Sequence, residues 1–310
     1  MSPAATAVPP HAPPPPAAAV WRAGGRPIPL EPRPRLMGIV NVTPDSFSDG
    51  GEFLSPVRAI EHGIALAAGG ADMLDIGGES TRPGARPVSA DEELDRVLPV
   101  IEGLAARVDL PLSIDTTKLE VARAALAAGA SIVNDVSALR FSPGIAELAA
   151  ETGAGLVLMH MKGEPRTMQR DPRYDDLLAE VGGHLRDAAR RAEDAGVDRS
   201  AIVLDPGIGF GKTARDNWRL LAGLARLAPG YPILVGHSRK SFLDPWKSIP
   251  PAERIPETLA AGLLAAISGA AILRVHDVEE HARALGIYER WLDAHWADAA
   301  PQLVPGSSLP

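Results

Sequence analysis

Short apolar runs recur along this chain, each followed by turn residues and then by an Ala- and Leu-rich stretch of helical period. The runs at 37–42, 72–77, 111–115, 131–136, 155–160, 201–205, 232–235 and 271–275 predict eight strands. Helical patterns lie between them, as at 56–68, 118–128, 175–195 and 257–268. The apolar runs are continuous rather than alternating, which is what parallel strands covered on both faces require. The joins repeat as well: Ala-Ala-Gly-Gly-Ala at 67–71, Ala-Ala-Gly-Ala at 127–130, Thr-Gly-Ala-Gly at 152–155, Asp-Ala-Gly-Val at 194–197 and Ser-Gly-Ala-Ala at 268–271. Each offers a glycine for a left-handed helix cap just before the next strand. Eight strand–helix units over roughly 260 residues predict an α/β fold, a (β/α)8 TIM barrel, whose usual size is about 250. A doubly wound open sheet is the alternative, but no Gly-x-Gly-x-x-Gly turn follows the first strand.

The first run changes character halfway. Ile39, Val40 and Val42 make a buried strand with Asn41 set near its carboxyl end; Thr-Pro-Asp-Ser-Phe-Ser-Asp-Gly-Gly (43–51) then cannot continue it, because Pro44 has no N–H for a ladder. The flanks carry no such pattern. Residues 1–34, with Pro9, Pro10 and Pro13 to Pro16 among many alanines, predict a disordered tail; the barrel is expected over 35–299 and a second tail over 300–310.

Composition narrows the function. The chain has no secretory apolar block and no long apolar window, so a soluble, non-membrane protein is expected. Zero cysteines exclude disulfides, thiol nucleophiles and thiolate metal sites, and make the cytoplasm the default location. A net charge of −8 argues against a nucleic-acid partner. Any anionic ligand must therefore meet local cations.

Those cations, and many carboxylates and amides, fall at the strand ends, where a barrel builds its site. In order they are Asn41, Asp75 with Gly-Gly-Glu-Ser-Thr-Arg-Pro-Gly (77–84), Asp115, Asn134-Asp135, His160, Asp205, Ser238-Arg239-Lys240 and Arg274-Val275-His276-Asp277. Taken singly, each polar residue marks where a strand leaves the core. As a set they converge on one mouth, where carboxylates repel unless a ligand, metal or cation partners them. A carboxylate such as Asp115 or Asp205 suits two parallel hydrogen bonds from an amino-pyrimidine edge, or a developing cation; Asn134 offers a donor and an acceptor together. Arg274 and His276 alternate along a strand and share a face, as an anion clamp needs; the simpler reading is a salt bridge to Asp277 or Glu279.

Two motifs are set aside. Gly-Ile-Gly-Phe-Gly-Lys-Thr (207–213) imitates a phosphate-binding P-loop, but Pro206 stands where the first glycine is needed. Asn41-Val42-Thr43 fits a glycosylation sequon but lies at a strand end in a chain without a secretory signal. The histidines show no metal-ligand spacing.

Eight stretches together resemble the dihydropteroate synthases of the pterin-binding barrel family: 37–51, Asp-Ile-Gly-Gly-Glu-Ser-Thr-Arg-Pro-Gly (75–84), Ser-Ile-Asp-Thr (113–116), Ile-Val-Asn-Asp (132–135), Leu-Met-His-Met (158–161), Leu-Asp-Pro-Gly-Ile-Gly-Phe-Gly-Lys (204–212), Gly-His-Ser-Arg-Lys-Ser (236–241) and Arg-Val-His-Asp (274–277). The resemblance implies condensation of 7,8-dihydropterin-6-ylmethyl diphosphate with p-aminobenzoate, with Mg²⁺ as cofactor, in a homodimer. It places the pterin on Asp115, Asn134, Asp205 and Lys240, the metal and diphosphate at Asn41, and phosphate oxygens on Arg274 and His276. It places p-aminobenzoate among Phe47, Asp49, Thr81, Arg82, Pro83, Phe210 and Ser241, and implies catalytic roles for Asp115, Lys240, Arg274, His276, Asp49 and Arg82. Phe47 and Phe210 suit a sandwich around the benzene ring. One departure stands out: Asp244-Pro245-Trp246 follows Leu243 where the family usually has glycine. The rivals are a methyltetrahydrofolate-binding methyltransferase barrel, which has no use for the cations, and a non-catalytic pterin-binding paralogue, which should have lost Phe47, Asp49, Thr81 or Arg82.

Overall fold

Alternation along each strand divides the buried side chains into an outer and an inner set, and that division builds the molecule. A computed structural model describes residues 20–43, 56–80, 86–163, 167–246 and 248–299. A hairpin of β1 (Val20–Ala23) and β2 (Arg26–Pro29) leads into β3 (Arg35–Asn41), α1 (Pro56–Ala68), β4 (Met73–Gly77), α2 (Ala90–Ala105), β5 (Leu112–Asp115), α3 (Leu119–Ala127), β6 (Ile132–Asp135) and α4 (Gly144–Thr152). There follow β7 (Gly155–Met159), α5 (Leu177–Asp194), β8 (Ile202–Asp205), α6 (Ala214–Ala222), the short α7 (Leu224–Leu227), β9 (Leu234–Val235), α8 (Ile255–Ile267), β10 (Ile272–Val275) and α9 (Val278–Ala299). The eight strands from β3 to β10 form one parallel sheet in the order β8-β7-β6-β5-β4-β3-β10-β9. A parallel bridge between Leu204 and Ile233, with Leu204 N donating to Pro232 O at 3.0 Å, joins the two ends. The result is a (β/α)8 barrel.

The five glycines of the repeated joins do cap helices in the left-handed region, with φ of 100° at Gly70, 116° at Gly129, 67° at Gly153, 98° at Gly196 and 98° at Gly269. Side chains such as Leu74, Ile76, Ile114, Val133, Leu158 and Leu204 point outward into the helices and are buried in the large outer core. The intervening positions point inward. Met37, Met73, Ile132, Val157, Val203, Leu234 and Ile272 form a separate core inside the barrel.

That inner core includes the hairpin. Residues 20–34, assigned to the tail on sequence, are ordered structure: Trp21 is fully buried in the barrel floor, its indole N–H donates to Ala201 O at 2.8 Å, and Gly24 N donates to Gly153 O at 2.9 Å. The Pro/Ala composition concealed a strand pair because its inward residues, Trp21, Ala23 and Ile28, are only three. Residues 1–19 and 300–310, the remainder of the two expected tails, lie outside the described residues.

Candidate active site

Two residues above the inner apolar layer, the same parity brings up Ile39, Asp75, Asp115, Asn134, Met159, Asp205, Gly236 and Arg274. A step of two along each strand thus changes the barrel interior from hydrocarbon to charge. Arg274 occupies the centre of this polar layer. Its Nε donates to Asp75 Oδ2 at 2.6 Å and its Nη2 to Asp115 Oδ2 at 2.8 Å, while Asn134 Nδ2 donates to the same Asp75 oxygen at 3.1 Å. Asp277 instead pairs with Arg239, whose backbone takes φ of 58°. The Arg274–Asp277 bridge considered from sequence therefore does not form.

Asp205 is 5% exposed and its Oδ1 accepts from Gly207 N at 2.6 Å. Beside it, Lys240 donates to Ile208 O and holds its ammonium 4.6 Å from the centroid of the Phe210 ring. The other side of Phe210 packs against Val136, Met159, Met161 and Met168. His276 Nδ1 and Ser238 Oγ are 3.0 Å apart, and Ser238 Oγ also accepts from His276 N at 3.2 Å, so the ends of β9 and β10 are tied together. Ser241, itself exposed, opens a 3-10 turn, Ser241–Leu243, just beyond Lys240; Phe242 and Leu243 of that turn are buried. The unusual Asp244 closes that turn into the next loop: its carboxylate accepts from Trp246 N at 3.2 Å and Ile249 N at 2.9 Å, with Arg254 at 3.6 Å.

Burial sets the protonation of the layer. It pushes Asp115 up to about 7 against the pull of the Arg274 guanidinium, and raises Asp205 against the pull of Lys240. It also pushes Lys240 down to about 8, with Asp205 opposing. For Arg274 the two carboxylates outweigh burial, and its proton is held more firmly than in water.

Of the residues singled out in the sequence, Asp115, Asn134, Asp205, Lys240, Arg274, Phe210, Ser238 and His276 gather around this mouth. Asn41 ends β3, half-buried, in register with Gly77 of β4. Phe47, Asp49, Thr81, Arg82 and Pro83 lie outside the described residues. Asp75 was visible as a strand-end carboxylate without a role; the structure makes it the fully buried partner that orients both Arg274 and Asn134. Lys118 was missed. It bridges Glu79 and the buried Glu93, and only its position three residues after Asp115 hinted at this.

Residues 37–276 match the family model described as pterin binding enzyme. The dihydropteroate synthase of Escherichia coli K12 is 48% identical over 262 residues, covering 84% of this chain and 93% of its own. The chain belongs to the dihydropteroate synthase family. Membership makes it a transferase of folate biosynthesis. The Mycobacterium leprae synthase is 46% identical over 268 residues, covering 84% of this chain and 94% of its own. Among solved structures, the Xanthomonas albilineans synthase with 4-aminobenzoic acid superposes with a TM-score of 0.83 at 49% identity, covering 89% of this chain and 99% of that one. The same synthase in complex with 7,8-dihydropteroate gives 0.79 at 48% identity, covering 87% and 98%. These likenesses set aside the methyltransferase barrel. Among the described residues no helix is long and apolar enough to cross a membrane.

Proposed function

We propose that this barrel mouth condenses 7,8-dihydropterin-6-ylmethyl diphosphate with p-aminobenzoate, and that the polar layer itself performs the recognition. The observation that carries the reading is the meeting of Asp115, Asn134 and Asp205 with Lys240 and Arg274 above a closed apolar floor. A dihydropterin presents amino and ring N–H donors on one edge and a carbonyl and ring nitrogen nearby. Asp205 and Asn134 match the donors, and Lys240 supplies a proton to an acceptor. Phe210, packed on Met159 and Met161, offers a flat apolar wall beside Lys240.

In the reaction the C–O bond between the pterin methylene and the diphosphate breaks, and pyrophosphate leaves with the electron pair. The amine nitrogen of p-aminobenzoate then bonds to that carbon and gives up a proton. Departure first leaves a pterin methyl cation, which the buried carboxylates Asp115 and Asp75 stabilise without reorganising water. Arg274 of β10 and His276 just after it receive the leaving oxygens, with Arg274 held in place by Asp75. Phe47, Asp49, Thr81, Arg82, Pro83 and Ser241 complete the amine site in this reading.

Mg²⁺ belongs to the same reading. Among the described residues no group of three or more His, Asp or Glu side chains is arranged to hold a metal. The donor set instead fits an ion shared with substrate, because a hard cation of this kind commonly takes one or two protein oxygens plus phosphate and water. Asn41 would supply the protein oxygen. Bound there, the ion would neutralise charge on the departing diphosphate. A homodimer in the cytoplasm completes the proposal, the location supported by the absence of cysteine.

The test is pyrophosphate release from purified protein given the pterin diphosphate and Mg²⁺, with and without p-aminobenzoate. Release that depends on p-aminobenzoate and yields dihydropteroate is expected. Tight pterin binding without release would overturn the reading in favour of the non-catalytic paralogue.

A further inference from the structure

The lysine of the P-loop look-alike, Lys212, does not face the mouth. It is 3% exposed and folds back beneath its own loop, where its ammonium meets His160 Nδ1 at 2.9 Å, Phe210 O at 2.9 Å and His160 O at 3.4 Å. An ammonium has three donors, and all three are used. The ring of His160 serves as a neutral acceptor, since burial, with Lys212 adding to it, pushes that imidazole down to about 2.

The loop that Lys212 ties down, residues 206–212, is pressed against the chain after β7. A Cβ on Gly207 would fall 1.9 Å from His160 O, and one on Gly211 would fall 2.5 Å from Lys162 O. Both glycines have positive φ, 66° and 65°, so the backbone there accepts no ordinary side chain. Three further ties act on the same segment: Gly209 N donates to Asn217 Oδ1 at 2.8 Å, Tyr174 Oη donates to Gly211 O at 2.7 Å, and Gln169 Nε2 donates to Gly209 O. On its opposite side the loop faces Lys240, through Ile208 O, the Phe210 ring and Gly209, whose added Cβ would sit 3.1 Å from Lys240 Cδ.

We propose that Lys212 is a positioning residue for the condensation: by fastening Phe210 O to the end of β7 it fixes where Phe210 and Lys240 stand against the substrate. The proposal rests on the function assigned above. Lys212 touches no substrate in this arrangement; it acts through the loop.

Lys212→Met keeps the length of the side chain and removes its donors. Losing these hydrogen bonds frees the loop, so a tenfold or greater rise in KM for the pterin diphosphate and p-aminobenzoate is expected. Amide exchange at Gly209 and Phe210, whose N–H groups donate to Asn217 Oδ1 and to Gly207 O, should quicken by a similar factor in the ligand-free protein. Thr213→Ala serves as the control. It removes the capping box of α6, in which Thr213 and Asp216 cap each other, and should lower the melting temperature without moving either KM. His160→Phe, which removes only the ring acceptor, should shift the same readouts less, and it decides the matter if Lys212→Met does not fold. Unchanged exchange at Gly209 and Phe210 in a folded variant, or a KM rise equal to that of Thr213→Ala, would overturn the proposal. Should the parent protein itself form no dihydropteroate, the function reading fails, and the exchange measurement still decides the role of Lys212.

Discussion

Arg274 and Asp75 stand two strands apart in the barrel, and the guanidinium Nε donates to Asp75 Oδ2 at 2.6 Å. Asp75 is fully buried, and among the described residues its Oδ1 has no hydrogen-bond partner. Its charge therefore depends on Arg274 and Asn134. Removing one partner of such a pair leaves an uncompensated buried ion. Arg274→Met is expected to lower stability by about 3–5 kcal/mol in urea unfolding. Asp75→Asn in the same chain should recover part of the loss, and strict additivity of the two changes would contradict the pairing.

Pterin binding should pass through a maximum with pH. Asp115, raised to about 7, must lose its proton to accept hydrogen bonds, so affinity climbs as pH rises through that value. Lys240, lowered to about 8, must keep its proton to donate, so affinity falls above it. Calorimetry with a pterin lacking phosphate removes the anion-binding groups from the profile; Asp115→Asn should weaken the acidic limb, to which Asp205 also contributes, and leave the basic limb in place. The same shift acts on folding with the opposite sense. Asp115 binds its proton more tightly in the native chain than at the ordinary value of 3.8, so its contribution to stability is present in acid and is lost as pH rises through about 7.

Asp205→Asn should abolish measurable pterin binding. One oxygen of Asp205 is fixed by the Gly207 N–H, and an amide in that frame turns either its NH₂ toward that donor or a donor toward the pterin. Two charge-assisted bonds at about 1.5–3 kcal/mol each correspond to a loss of a hundredfold or more. Parent-like affinity by calorimetry would contradict the assignment.

Arg82→Ala is expected to leave pterin diphosphate binding largely intact and to lower condensation strongly. The described residues on either side of 81–85 are tied to each other and to the end of β5, because Glu79 accepts from Val88 N at 3.3 Å and also pairs with Lys118. Parallel measurement of pterin affinity and p-aminobenzoate-dependent turnover checks this; unchanged turnover would remove Arg82 from the site.

Trp21→Ala should cost about 3–5 kcal/mol, the range for deleting a large buried aromatic side chain, with an orphaned carbonyl at Ala201 in addition. Denaturant unfolding measures the loss.

The barrel was legible because its signals are local and repeated. Continuous apolar strands with a polar residue at each end recur eight times, glycine caps five times, and the helix expected at 56–68 matches Pro56–Ala68. The polar layer was legible for the same reason, since parity alone brings Asp115, Asn134, Asp205 and Arg274 together. Pairing across the mouth was not. Nothing near Arg274 in sequence names Asp75, which is 199 residues away, and the adjacent Asp277 is taken by Arg239. Lys212 escaped because a lysine after Gly-x-Gly suggests phosphate, and only its backward fold onto His160 shows otherwise. The hairpin escaped because three inward residues among prolines make no periodic pattern.

That hairpin turns the barrel from a pipe into a cup. Beneath Asp75, Asp115 and Asp205 lie Trp21, Met37, Met73 and Val203 rather than water, so the field of the carboxylates is screened from one direction only. Charge developing above them meets an anionic layer that solvent cannot approach from below. A chain shortened to begin at residue 35 would let water in through the floor, and Asp115 would drift back toward an ordinary carboxylate. The acid–base character of the top of the molecule is thus written partly at its base, in residues that never come near a substrate.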